Sequence, residues 1–170
     1  LERTALNLLM RMSGVATITN RIVKKVHDVN PKIRVAGTRK TAPALQKYDK
    51  LAISIGGGDP HRSALDDMIL IKDNHIAVVD SVKKALELAK ENNSFSKKIE
   101  IEVESTEDAI IACENGADIV MFDNMSPDEA QDTLNALEEN DLRKDVLIEI
   151  SGGITEDNIL DYAPLDVDII

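Results

Sequence analysis

The sequence predicts a single α/β domain, a parallel α/β barrel of the (β/α)8 kind, complete or incomplete. Three observations point there. From Met68 onward, strand-like and helical segments alternate with a period of roughly 25 residues, the length of a βα unit. Several strand segments are almost wholly apolar, as burial on both faces requires. No G-x-G-x-x-G follows any strand, and Gly56-Gly57-Gly58 is too compact for that fingerprint, so a closed or nearly closed barrel fits better than an open doubly wound sheet. Residues 1–170 are expected to be most of one barrel domain, with residues 1–28 as a helical lead-in.

The elements follow in order. Residues 4–27 carry Leu6, Leu9, Met10, Ser13, Ile18, Ile22 and Val26 at helical spacing. Gly14 interrupts that pattern and gives one bent helix or two short ones; Asn30-Pro31 stops it. Ile33–Ala36 is a short strand candidate, and Thr41–Lys50 a helix with Pro43 in its first turn. Met68–Ile71 reads as a strand ending at Lys72, and Ser81–Asn92 as a helix capped by Ser81 or Asp80. Ile99-Glu100-Ile101-Glu102-Val103-Glu104 alternates strictly, a strand with one acidic face. Thr106–Asn115 is a helix capped by Ser105 or Thr106 and closed by Gly116. Asp118–Phe122 is a strand, and Ser126–Glu139 a helix opened by Ser126-Pro127-Asp128-Glu129. Val146–Ile150 is a strand, Thr155–Leu160 a short helix, and Val167–Ile170 a last strand.

Composition narrows the function. The 170 residues are 43% hydrophobic and 30% charged, a globular balance. The net charge of −11 argues against a nucleic-acid or anionic-membrane surface, since nothing drives counterion release over a broad face. One cysteine, Cys113, excludes an intrachain disulfide and suggests a reducing compartment. No apolar run reaches the ~18 residues of a spanning helix and no signal-peptide pattern is present, so the cytoplasm is the expected location. Leu1 in place of an initiator Met, and an end within an apolar segment, read as a piece of a longer chain.

Within this acidic chain the bases are concentrated. Arg39 and Lys40 follow the first strand candidate, His61 and Arg62 follow the glycines, and Lys72 ends a strand. A multiply anionic small molecule is the simplest reason. Each residue also has a plainer explanation. Arg39 and Lys40 alone would be solvated turn residues, and His61 a satisfied loop histidine. Glu102 is sharper, because a barrel strand has no solvent face and an inward carboxylate needs a cation or a metal. Asp123-Asn124 could be a turn. Ser151-Gly152-Gly153 ahead of a helix is a phosphate-nest signal, weak alone. In a parallel barrel the carboxyl ends of the strands meet at one mouth, which would bring these bases together with Glu102 and Asp123. Cys113, beside Ala109 and Ala112, reads as packing.

These residues occur together and in order with Glu2-Arg3-Thr4-Ala5-Leu6-Asn7, Thr38-Arg39-Lys40-Thr41, Leu70-Ile71-Lys72-Asp73-Asn74-His75 and Asp123-Asn124-Met125. As a set they resemble quinolinate phosphoribosyltransferase over almost the whole chain. Ala42 and Ala44 depart mildly, standing where the family often has Thr and Gly. The resemblance implies an α/β barrel that follows an N-terminal sandwich domain, here absent. It implies transfer of phosphoribose from phosphoribosyl pyrophosphate to quinolinate with Mg2+, releasing pyrophosphate and CO2, by a homodimer or higher homo-oligomer. By the family pattern Arg3, Arg39, His61, Arg62 and Lys72 hold quinolinate, and Arg3 acts across a subunit boundary. Lys40 lies between the two substrates. Glu102 and Asp123 hold the ribose hydroxyls and Mg2+, and Ser151, Gly152 and Gly153 contact the 5′-phosphate. Lys40, Glu102 and Asp123 are the expected catalytic set. Two rivals remain: a paralogue that uses another anionic acceptor, such as nicotinate, and a non-catalytic barrel that senses an anionic metabolite.

Overall fold

The computed structural model describes residues Leu1 to Ile170. The chain divides into two compact units, Leu1–Ala64 and Leu65–Ile170.

The first unit is a helical pair. Helix α1, Glu2–His27, is one continuous helix of 26 residues. Gly14 does not break it; a Cβ there would meet nothing within 4 Å. Helix α2, Gln46–Ile55, packs on α1. At about 15 Å against about 39 Å, it is too short to cover its partner. Of the expected apolar face of α1 only Val26, near the carboxyl end, is buried, with Val23 outside that face buried as well, while Leu6, Leu9, Met10 and Ile18 stay exposed. The two helices meet closely at Gly56, where a Cβ would lie 2.6 Å from the Ala16 carbonyl. A larger residue would push the helices apart.

Two expectations in this unit are corrected. Ile33–Ala36 forms no strand, only isolated bridges, among them a parallel one from Ala36 to Asp59. The Asp59 N–H donates to Val35 O at 2.8 Å, but the next ladder donor, His61 N–H, turns back onto Asp59 Oδ1, and Gly37 O accepts from Lys50 Nζ instead. The helix expected over Thr41–Lys50 begins five residues later, at Gln46. Ala44 has φ 63°, a left-handed conformation that no helix accommodates, so Pro43 belongs to a turn closed by Leu45 N–H on Ala42 O.

The second unit alternates strand and helix as expected. Its strands are β1 (Ile69–Ile71), β2 (Ile99–Val103), β3 (Ile119–Asp123) and β4 (Leu147–Ser151), all parallel in the order β1-β2-β3-β4. Its helices are α3 (Asp73–Val79), α4 (Val82–Asn92), α5 (Thr106–Glu114), α6 (Pro127–Glu139) and α7 (Ile159–Tyr162). The βαβ alternation is that of an α/β barrel; the sheet has four strands and is open between β1 and β4. The serines are the caps: Ser81, Ser105 and Ser126 accept from Lys84, Asp108 and Glu129 N–H respectively. Ser126 and Glu129 complete a reciprocal capping box, which holds the Glu129 carboxyl below its usual range.

Here too the sequence reading needs correction. Helix α3 was not foreseen. The helix expected at Thr155–Leu160 is the short α7, because the Asn158 side chain accepts from Thr155 N–H and folds that stretch into a turn. Val167–Ile170 contributes a bridge from Ile169 to Glu149 rather than a strand.

Strand register sorts the sheet into two faces. Ile69, Ile71, Ile99, Ile101, Val103, Val120, Phe122, Ile148 and Ile150 share one face, which is wholly apolar. That face can pack against α4 and α5 without burying charge. The alternate residues form the other face, where the chemistry lies.

Candidate active site

On the polar face the register pairs Leu70 with Glu100, Glu102 with Met121, and Asp123 with Ser151. One pleat further along β1 puts Lys72 beside Glu102. Lys72 and Glu102 thus share one level of this face with Met121 and Glu149, and Asp123 and Ser151 lie one pleat further toward the carboxyl ends of β3 and β4. The Lys72 ammonium lies 2.5 Å from Glu102 Oε1; their side chains are 41% and 15% exposed. Lys72 is held from behind. Its backbone N–H donates to His75 Nδ1 at 3.0 Å, so the imidazole caps α3 and fixes the residue that carries the ammonium. On the same face Glu100, one pleat deeper, is fully buried and Glu149, level with Glu102, is 7% exposed, whereas Glu104 is exposed. The acidic row of β2 is graded from interior to solvent. Glu149 was not singled out from sequence.

The β3 and β4 ends are tied together. Asn124 N–H donates to Ser151 O at 2.9 Å, and Asn124 Nδ2 donates to Asp123 Oδ2 at 3.0 Å. Tyr162 donates its hydroxyl to Met125 O at 3.1 Å. Asn124 and Gly152 both take left-handed φ, 57° and 93°. A Cβ on Gly152 would sit 2.7 Å from Asn124 N. Gly152 and Gly153 present consecutive positive-φ backbone, suited to an anion-holding nest. The helix expected directly behind them is absent, since α7 starts at Ile159.

The first unit carries the other bases. Arg3 is exposed on the first turn of α1. Arg39 and Lys40 are exposed on the loop ahead of α2, and His61 and Arg62 are half-buried after the glycines. His61 has φ 52°, stabilised by its N–H on Asp59 Oδ1 at 2.7 Å. Two charged residues of α2 are buried, Asp49 and Lys50. Arg11 forks onto Asp49 at 2.8 and 2.7 Å and holds its carboxyl below the usual range. Lys50 donates to Gly37 O at 2.7 Å and to Pro60 O. Burial, with Arg39 and Arg62 nearby, pushes its pKa down against the opposing pull of Asp59. Sequence reasoning passed over Lys50, because its ligands are backbone carbonyls that leave no residue signature.

Glu102 and Asp123 are hard oxygen donors at neighbouring strand ends on one face. Such a pair suits Mg2+, which takes one or two carboxylates and completes its shell with water and phosphate.

A sequence-family model described as "Quinolinate phosphoribosyl transferase, C-terminal domain" matches residues 15–170. The chain belongs to that family. It is 56% identical to the probable nicotinate-nucleotide pyrophosphorylase [carboxylating] of Methanocaldococcus jannaschii, over 100% of this chain and 60% of that protein. It is 37% identical to the human nicotinate-nucleotide pyrophosphorylase [carboxylating], over 99% of this chain and 56% of that one. The crystal structure of NadC from Streptococcus pyogenes superposes with a TM-score of 0.90 at 39% identity, covering 99% of this chain and 56% of that one. The chain thus spans about 60% of the length of the curated archaeal relative. No helix is long and apolar enough to cross a membrane.

Proposed function

We propose that this chain is the larger part of an enzyme that joins quinolinate to phosphoribosyl pyrophosphate. The products are nicotinate mononucleotide, pyrophosphate and CO2, a step in NAD biosynthesis. The pyridine nitrogen attacks the ribose anomeric carbon as pyrophosphate leaves with the bonding electrons. The ring then carries positive charge, which stabilises the electron pair left on the ring carbon when the carboxylate beside the nitrogen departs as CO2, and that carbon takes up a proton from water. No dedicated base is needed. The protein supplies position and charge.

Arg39, His61, Arg62 and Lys72 hold the two carboxylates, for which forked guanidinium groups are suited. Arg3 adds a further contact from across a homodimer boundary. Lys40 lies between the two substrates. Glu102 and Asp123 hold the ribose hydroxyls, and their charge stabilises the cationic ribosyl centre. Bound Mg2+, held by Glu102 and Asp123, would supply charge neutralisation to the pyrophosphate. Ser151, Gly152 and Gly153 hold the 5′-phosphate. The expected location is the cytoplasm.

The observation that carries this reading is the Lys72–Glu102 pair, with Asp123 one pleat further along the neighbouring strand on the same sheet face, in a chain of this family. An anion sensor gains nothing from acids set beside its bases. Calorimetric titration of the full-length protein with quinolinate and with nicotinate tests the acceptor. Tight quinolinate binding with little nicotinate binding supports the reading. Equal or reversed affinities would move it to a paralogous transferase, and absence of pyrophosphate release would move it to a sensor.

A further inference from the structure

Lys50 is a buried ammonium, 4% exposed, whose hydrogen-bond partners are two carbonyls from two different loops. Gly37 O belongs to the loop that carries Arg39, and Pro60 O to the loop that carries Arg62. Each carbonyl stands two residues before its arginine. The first loop is pinned again at its far end, where Ala42 N–H donates to Asp49 Oδ2 at 3.3 Å. Asp49 is itself locked to α1 by Arg11. Two adjacent buried residues of α2 thus hold both loops to one rigid helix.

A lysine that served only packing would not sit there. Burying an ammonium is costly, and an apolar side chain would fill the volume without that cost. Arg39 and Arg62 make it costlier, since their charges oppose the Lys50 charge. What the ammonium provides, and no apolar residue can, is a fixed span between two carbonyls. That span sets the separation of the two loops from which the arginines project. Recognition of two adjacent carboxylates depends on that separation, whereas recognition of one does not.

We propose that Lys50 is a positioning residue that fixes the spacing of Arg39 and Arg62 and so confers selectivity for a dicarboxylate over a monocarboxylate. This rests on the quinolinate reading for the identity of the ligand, but the clamp itself can be tested without ligand. The variants are Lys50→Met, which keeps length and removes the donors, and Lys50→Gln, which keeps one donor group. Both are made in the full-length protein.

The first measurement is hydrogen–deuterium exchange without substrate. Amides of residues 37–41 and 59–62 exchange faster in K50M, while those of α1 between residues 15 and 26 do not. The second is calorimetry. K50M weakens quinolinate binding by roughly 10–100-fold, the range expected when positioning is lost by about 1 Å, and changes nicotinate binding much less. The affinity ratio of the two acids therefore falls, and KM rises more than kcat drops. A purely structural role would lower the melting temperature and leave that ratio unchanged. K50Q lies between wild type and K50M. Unchanged loop exchange, or an unchanged ratio in a wild type that does bind quinolinate, overturns the assignment. So does failure of both variants to fold, because Lys50 would then be a folding residue. A wild type that binds no quinolinate overturns the transferase reading, and the exchange measurement still decides the clamp.

Discussion

Lys72 Nζ lies 2.5 Å from Glu102 Oε1, across the ends of two adjacent parallel strands. The proposed acceptor-binding residue and the proposed ribose-binding residue are thus already in contact. The pair offsets the two charges in the unliganded protein, and under the proposed function bound substrates would take the place of that contact. Glu102→Gln keeps the shape and removes the charge. The expected result is a fall in kcat of about 100- to 1000-fold, as when one preorganised electrostatic group is lost. Quinolinate affinity changes far less. Steady-state kinetics together with calorimetry check this, and intact turnover would sink the role given to Glu102.

Gly152 is a second sensitive point. Its φ of 93° disfavours any side chain, and a Cβ would press on the Asn124 amide at 2.7 Å. Gly152→Ala should cost about 1–3 kcal/mol of stability through strain. It should also move the Asp123-Asn124 loop. Thermal melts give the first effect, and a loss in kcat/KM larger than the stability change explains gives the second.

Acid stability should depend on Asp49. Its carboxyl is held below the ordinary range, chiefly by hydrogen bonding from Arg11. In the unfolded chain it titrates near pH 3.9. The unfolded state therefore binds the proton first. The stabilisation is fully present above that pH and is lost as pH falls through the lower folded value. Urea midpoints measured from about pH 5 down to 2 should fall in wild type. They should fall less steeply in Arg11→Met, which starts from lower stability.

Cys113 should be slow to react. Burial raises its thiol pKa to about 11, so almost no thiolate exists at neutral pH. Alkylation by iodoacetamide should be sluggish at pH 7 and accelerate about tenfold per pH unit up to about pH 10. A faster reaction that levels off near pH 8.5, the ordinary thiol value, would mean that the helix opens locally.

Much of the second unit was legible in the sequence because its signals are local. Ser81, Ser105 and Ser126 sit one residue ahead of helices that then run as periodicity requires. The alternation of Ile99 to Glu104 named both sheet faces correctly at β2. The first unit was less legible. Pro43 looked like a helix opener, but the left-handed Ala44 behind it postpones α2 to Gln46. Helix α3 was hidden because Lys72-Asp73-Asn74-His75 read as site residues, although His75 also caps the turn. Lys50 could not be found at all, since its partners are the carbonyls of Gly37 and Pro60. Residues that act through backbone carbonyls stay silent in a sequence.

The division of the sheet into an apolar face and a charged one has a consequence for how such a chain changes over time. Positions 99, 101, 103, 120, 122, 148 and 150 answer to stability alone, and any branched aliphatic of similar volume will serve there. Positions 100, 102, 121, 123 and 149 lie one step away on the same strands and face the other side of the sheet. Drift on one face is therefore nearly independent of drift on the other. A lineage could exchange its acceptor while inheriting its scaffold unaltered, and a saturation-mutagenesis map scored for growth would show tolerance flickering residue by residue along each strand.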